Sequence, residues 1–257
     1  MLTTTDRDTV TRQRMLLSAS IITLAAAAWL ALWMMGASAH ASMHHHHHGT
    51  SIDVTPMFSM LLFVGSWTVM TIAMMLPTSL PILTTFQAIA GSRDDRTLLL
   101  TLVVAGYLVT WGLFGAVVHA GQVGIQQLVI TSAWAQQQAW AGGGVVLLLA
   151  GAYQFTPLKY RCLEKCRSPL SFVIEHWQGR NHRQQAFRLG FDHGLFCVGC
   201  CWALMLLMFV VGMTNLGWML ILAVVMAVEK NTRWGRVLSA PLGMALLTWG
   251  GATLVWH

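Results

Sequence analysis

The chain has 257 residues, 56% of them hydrophobic and only 9% charged, with a formal net charge of +6 and a mean hydropathy of +0.60. A soluble domain carries about 25% charged residues, so this composition leaves too little polar surface to face water. The positive charge does not describe a nucleic-acid surface either, because the basic residues stand in short blocks between apolar runs rather than in one patch or aromatic-interleaved stripe.

Apolar runs near the roughly 20 residues that span a bilayer recur at 16–35, 57–77, 97–119, 139–156, 191–212, 216–229 and 237–256. Only helices or closed barrels cross lipid with their backbone groups satisfied, and barrel strands would alternate in hydrophobicity. The pattern predicts an all-α, polytopic transmembrane helical bundle of about seven spans. The first run has a basic start (Arg7, Arg12, Arg14) and a small-residue stretch after it, so a cleaved signal is one reading. Its length favours a retained helix. After it comes a segment with five consecutive histidines, His44–His48. Such tracts bind metals or serve as solvated spacers, and the internal position argues against an expression tag. The second run ends on Met70, Met74 and Met75, just before Pro77 and Pro81. The third carries His119 near its far end. The longest polar segment, 157–190, reads as partly helical at the membrane surface. Residues 194–228 form one apolar stretch that would be about 52 Å long as a single helix, so it must turn, and 212–217 holds the turn chemistry. The short run that follows is a span or part of a re-entrant hairpin.

All 15 Lys and Arg residues fall in 1–15, 91–96, 157–190 and 229–236, and none in 36–56, 120–138 or 213–216. The positive-inside rule then predicts the N-terminus inside and the C-terminus outside, which seven spans satisfy. Trp29, Trp33, Trp134, Trp140 and Trp256 fall near the predicted outer boundary, as an aromatic belt would. Two units follow: 1–56, a span with a His-rich periplasmic loop, and 57–257, a six-span domain. The expected setting is an inner membrane with its basic segments on the cytoplasmic face, and the lipid bilayer is the first partner.

The five cysteines, Cys162, Cys166, Cys197, Cys200 and Cys201, all lie on the predicted inner side. That placement, and the odd number, argue against structural disulfides and for soft metal ligands or redox groups. His193, Cys197 and Cys201 are spaced four apart, and residues three or four apart share a helical face. Cysteine is also a common small buried residue, but three in five positions beside a histidine fit a metal site better. Cys162 and Cys166 form a second pair four apart, where Lys159, Arg161, Lys165 and Arg167 would activate the thiols. Met74, Met75 and Met205 add thioethers, which select Cu(I) among common metals; packing between helices is their other use. His193, Cys197, Cys201, Met205 and Met208 together would make a soft-ligand track of about 22 Å. Glu229 and Asp192 stand at inner boundaries, where both can reach the interface. No phosphate loop or dinucleotide fingerprint occurs, so the chain alone is no ATP-driven pump.

The segments MTIAMMLPTSLPIL (70–83), GAYQFTPLKYRCLEKCRSPLSFV (151–173) and GFDHGLFCVGCCWALMLLMFVVGMTNLGWM (190–219), with Glu229-Lys230, carry a resemblance. The chain resembles a bacterial family of predicted metal-binding integral membrane proteins, a domain of unknown function described as copper-chaperone-like. The resemblance covers roughly 57–250 and leaves the His tract outside. It implies metal binding, with copper as the metal, by Cys162, Cys166, Cys197, Cys200 and Cys201, and no enzyme activity. The expected function is Cu(I) handling: delivery, sequestration or assembly of a copper site in a partner. Another soft metal stays open, as do two rival readings, a thiol redox membrane protein and a non-catalytic subunit of a membrane complex. The expected partner is a copper donor or acceptor protein, not nucleic acid.

Overall fold

The computed structural model describes the backbone of residues 4–43 and 55–256, apart from residues 92, 94, 139, 179, 180, 213, 214 and 233, and within the first helix the side chains of 11–36. The His44–His48 tract lies outside the described residues. Among those described there are helices and no strands. In chain order they are α1 (Thr4–Met43), α2 (Pro56–Met74), a 3-10 turn (Pro77–Ser79), α3 (Leu80–Ala90), α4 (Arg96–Thr131), α5 (Ala133–Gln137), α6 (Ala141–Tyr153), α7 (Pro157–Arg167), α8 (Pro169–His176), α9 (His182–Val211), α10 (Leu216–Asn231) and α11 (Gly235–Val255).

Five of these are long and apolar enough to cross a membrane: Thr11–Gly36 of α1, then α2, α4, α9 and α11. The α6–α7 pair passes the same test only together, with a bend of 64° between its halves. The helix α10 has 16 residues, or about 24 Å at 1.5 Å per residue, short of the roughly 30 Å of hydrocarbon. Against the seven spans expected, five helices qualify among the described residues, or six with the bent pair taken as one span, and α10 falls short.

Several boundaries move for clear physical reasons. The 36 residues of α4 run about 54 Å, so the segment expected as an outer loop from 120 is helical to Thr131. No proline interrupts it, and it stops only where the Ser132 side chain accepts the Ala135 amide to cap α5. The apolar stretch 194–228 is divided between α9 and α10, as expected. Gly212 ends α9 with φ 99°, and the Asn215 side chain caps α10 by accepting the Trp218 amide. At the end of α2, Pro77 lacks the N–H that Ala73 O would receive in a continuous helix. Trp29 Nε1 of α1 takes that carbonyl instead, at 3.1 Å. Trp29 is thus a packing residue joining α1 to α2, whereas Trp33, Trp134, Trp140 and Trp256 stay exposed, as belt residues would.

The helix α9 is the central post. Its most extensive neighbour is α4, and α6, α7, α8 and α10 complete the surround. The α4–α9 crossing is close because glycines face backbone: a Cβ on Gly106 would collide with Phe187 O, and one on Gly190 with Val103 O. Small residues let helices approach closely in a bilayer, where lipid gives no hydrophobic drive to pack. The outer surface is apolar, with Leu113, Val117, Leu149, Leu220, Ile221 and Val237 exposed, a surface suited to lipid rather than water.

Candidate metal centre

The expected face of α9 is built as its spacing requires. His193, Cys197, Cys200, Cys201 and Met205 are all buried, with Cys197 and Met205 at 0% exposure. Cys200 and Cys201 donate to the Cys197 carbonyl at 3.2 and 2.8 Å, the back-bonding that short polar side chains make within a helix. Cys201 also reaches the Met75 thioether at 3.8 Å, and the Cys197 thiol contacts those of Cys200 and Cys201. Met75 is there because α2 breaks before Pro77: it is the C-cap residue, and the break aims its side chain at α9. Met74 and Met205 are buried in the surrounding core, while the sulfur–sulfur contact falls to Met75.

The cation at this cluster is Lys230 of α10. Its ammonium donates to Cys197 Sγ at 2.8 Å, Met75 Sδ at 3.4 Å and Thr78 Oγ1 at 3.4 Å. The Tyr107 hydroxyl of α4 shares a hydrogen bond of 3.1 Å with Cys197 Sγ. One turn away, His193 Nε2 meets Ser79 Oγ at 3.4 Å, and its ring lies 5.7 Å from that of Tyr107 and 5.8 Å from that of Phe172. The Nδ1 atom of His193 is buried without a hydrogen-bond partner.

The second cysteine pair joins through α7. Pro157 opens this helix, and Thr156 caps it by accepting the Lys159 amide. Cys166, the one cysteine that is not fully buried, contacts the Cys200 thiol. Cys162 packs on Gly199, where an added Cβ would lie 2.6 Å from its sulfur. Three of the basic residues expected to activate this pair, Lys159, Lys165 and Arg167, are engaged elsewhere. Lys159 is fully buried and donates to Glu229 at 2.7 Å, and Lys165 pairs with Glu175 at 2.9 Å. Glu229, expected within reach of the interface, is 2% exposed. It also accepts from Ser239 at 2.7 Å, while Gln154 accepts from Lys159 and Arg167 donates to the Glu229 carbonyl. Asp192 does remain near the surface, beside His176 and Arg188. His119 packs on Phe63, away from the thiols.

Two residues of this centre escaped the sequence reading. Lys230 looked like part of a basic loop, yet it sits one residue inside the helix end at Asn231. A lysine closing an apolar run is an ionisable group at membrane depth, which marks function by default. Tyr107 gave no signal beyond an aromatic residue in an apolar span.

Among the described residues no three His, Cys, Asp or Glu side chains already converge in metal-binding geometry. The thiols turn to the Cys197 carbonyl, to Lys230 and to one another, and the donor set includes a thioether. Its chemistry is nevertheless uniform: thiols, a thioether and an imidazole with a free nitrogen, with Glu229, the one buried carboxylate among the described residues, tied to Lys159. Such a set suits a soft cation rather than a hard one. No curated protein and no solved structure matches the chain. One family model does, over residues 64–253, a stretch that contains all five cysteines, Met75, His193 and Lys230. The chain belongs to the family described as PpoB2, copper chaperone.

Proposed function

We propose that this protein is a multi-pass bacterial inner-membrane protein that holds Cu(I) in transit, for delivery, sequestration or assembly of a copper site in a partner protein. It acts by binding and not as an enzyme. The observation that carries the reading is the buried meeting of Cys197, Cys201 and Met75 beside Lys230, in a chain of a copper chaperone family. Cys197 and Cys201 are the primary ligands, Met75 supplies a thioether, and Cys200 or His193 completes the set. Cu(I) accepts few, soft ligands, and these sulfur side chains are already neighbours. Cys166 links this set to the bundle surface through Cys200, and an ion passed from thiol to thiol along that line never meets bare lipid. Cys162, Met74 and Met205 line the same region.

The test is elemental analysis of detergent-purified protein after Cu(I) loading and desalting. Wild type retains copper stoichiometrically, and the variant with all five cysteines changed to serine retains none. Equal copper in both would overturn the reading. A wild type that takes up no copper but cycles its thiols between oxidised and reduced forms would instead be the redox protein.

The proposed topology has seven crossings, with α6 in the span at 139–156, α7 in the inner segment 157–190 and α10 as a short span, the N-terminus inside and the C-terminus outside. Residues 1–56 form the first span and a periplasmic His-rich loop, and 57–257 the six-span domain. Support comes from the distribution of all 15 Lys and Arg residues. Reporter fusions at Thr50, Asp94, Gln137, Gln178 and His257 read out, in, out, in and out. A periplasmic signal at Gln178 contradicts the arrangement.

A further inference from the structure

We propose that Lys230 is the residue that makes this centre selective for a monovalent soft cation, by supplying the one fixed positive charge that a bound ion must share the site with. The inference rests on the copper reading above and adds to it a reason for the charge of the cargo.

The geometry places the Lys230 ammonium against both a thiol and a thioether of the ligand set, at 2.8 Å from Cys197 Sγ and 3.4 Å from Met75 Sδ. The residue is 6% exposed, so water does little to screen it. The other buried charges among the described residues, Lys159 and Glu229, neutralise each other. Glu229 is the sequence neighbour of Lys230, but its carboxylate is held by Lys159 and Ser239. Thr78, which accepts from the ammonium, and Tyr107, which shares its hydrogen bond with Cys197 Sγ, are hydroxyl groups that bring no anion to the site.

The charge count follows. With Cys197 and Cys201 as the thiolates and the neutral Met75 thioether and His193 imidazole completing the set, two thiolates and one ammonium sum to one negative charge. A monovalent ion brings the site to zero, whereas a divalent ion leaves one uncompensated positive charge in a low-dielectric interior, where such charges are expensive. Thiolates alone do not discriminate this way, since soft divalent ions also bind them. Without Lys230 the same two thiolates would be neutralised by a divalent ion. The lysine thus turns a general thiolate site into one that rejects the second charge.

The experiment compares Ag(I), a soft monovalent ion without redox chemistry, with Cd(II), a soft divalent ion, in competition titrations of the purified full-length protein. The ratio of the two affinities is the readout, because the cost of forming the thiolates is common to both ions and cancels. Lys230→Leu removes the charge and adds no sulfur donor, and Thr78→Asp neutralises it by placing a carboxylate beside the ammonium. Both lower the Ag(I)-to-Cd(II) ratio by on the order of a hundredfold to a thousandfold, as one unit charge about 4 Å away at intermediate dielectric dictates. Lys230→Arg keeps the charge and keeps the ratio. If Lys230→Leu does not purify as a monodisperse protein, Thr78→Asp carries the test. A ratio unchanged in Lys230→Leu and Thr78→Asp, with Ag(I) still bound through the cysteines, overturns the role of Lys230 and leaves the copper reading standing. If wild type binds no more Ag(I) than the cysteine-free variant, the copper reading fails, and this inference falls with it.

Discussion

Cys197→Ser weakens Cu(I) binding by more than about 100-fold, beyond what losing an outer-shell partner of a metal ligand costs. Cys201→Ser does the same. Serine keeps nearly the same volume, so the α9 core stays packed, but its hydroxyl is a hard donor that Cu(I) does not favour. Met75→Leu also keeps the volume and costs less, since a thioether carries no charge. Cys162→Ser changes affinity least, because its sulfur packs on Gly199. The measurement is competition against a chromogenic Cu(I) chelator in detergent, with gel filtration to establish that each variant is folded. Affinity in wild type also falls as the pH is lowered, because ligating thiols must give up their protons to bind. Wild-type affinity in both Cys197→Ser and Cys201→Ser would remove these two residues from the ligand set.

The second large effect concerns stability. Glu229→Gln leaves the fully buried Lys159 ammonium without its counter-charge, and neither Gln154 nor Ser239 can replace a carboxylate. Removing one partner of a buried ion pair costs about 3–5 kcal/mol, so the thermal unfolding midpoint in detergent drops sharply. Replacing both partners, in Lys159→Met with Glu229→Leu, recovers most of the loss, because a pair of apolar side chains has no charge to desolvate. Arg167 still donates to the Glu229 backbone carbonyl in every variant, so that tie is constant across the series. A Glu229→Gln protein as stable as wild type would mean that Lys159 finds another anion or water. The same substitution also separates structure from selectivity: it acts through Lys159 and leaves the ammonium at the thiols, Lys230, in place.

Much of the architecture was legible because apolar length and breaker residues are local properties. The long apolar runs became helices, α9 ended at Gly212, and Met75 came free where Pro77 stops α2. The common face of His193, Cys197 and Cys201 follows from helical spacing alone. What the sequence hid depends on contacts between distant segments. Lys230 and Cys197 are 33 positions apart, and Tyr107 and Cys197 are 90 apart, so no window reveals either meeting. Lys159 read as one of a set of loop cations, whereas helix packing buries it against Glu229, 70 positions away. Helices also run past the apolar spans they contain. Residues 120–131 are polar enough to resemble a loop, but they contain no proline and continue α4. At the other extreme, α9 begins at His182 rather than at the first apolar residue, since a helix continues past the bilayer where side chains can face water.

The central claim is that sulfur from α9 and from the end of α2 holds copper, and X-ray absorption at the copper K-edge of the Cu(I)-loaded protein tests it most directly. The account predicts an edge characteristic of Cu(I) and a first shell dominated by sulfur, which loses sulfur in Cys197→Ser and in Cys201→Ser. A first shell of nitrogen and oxygen alone, unchanged in both variants, would contradict it.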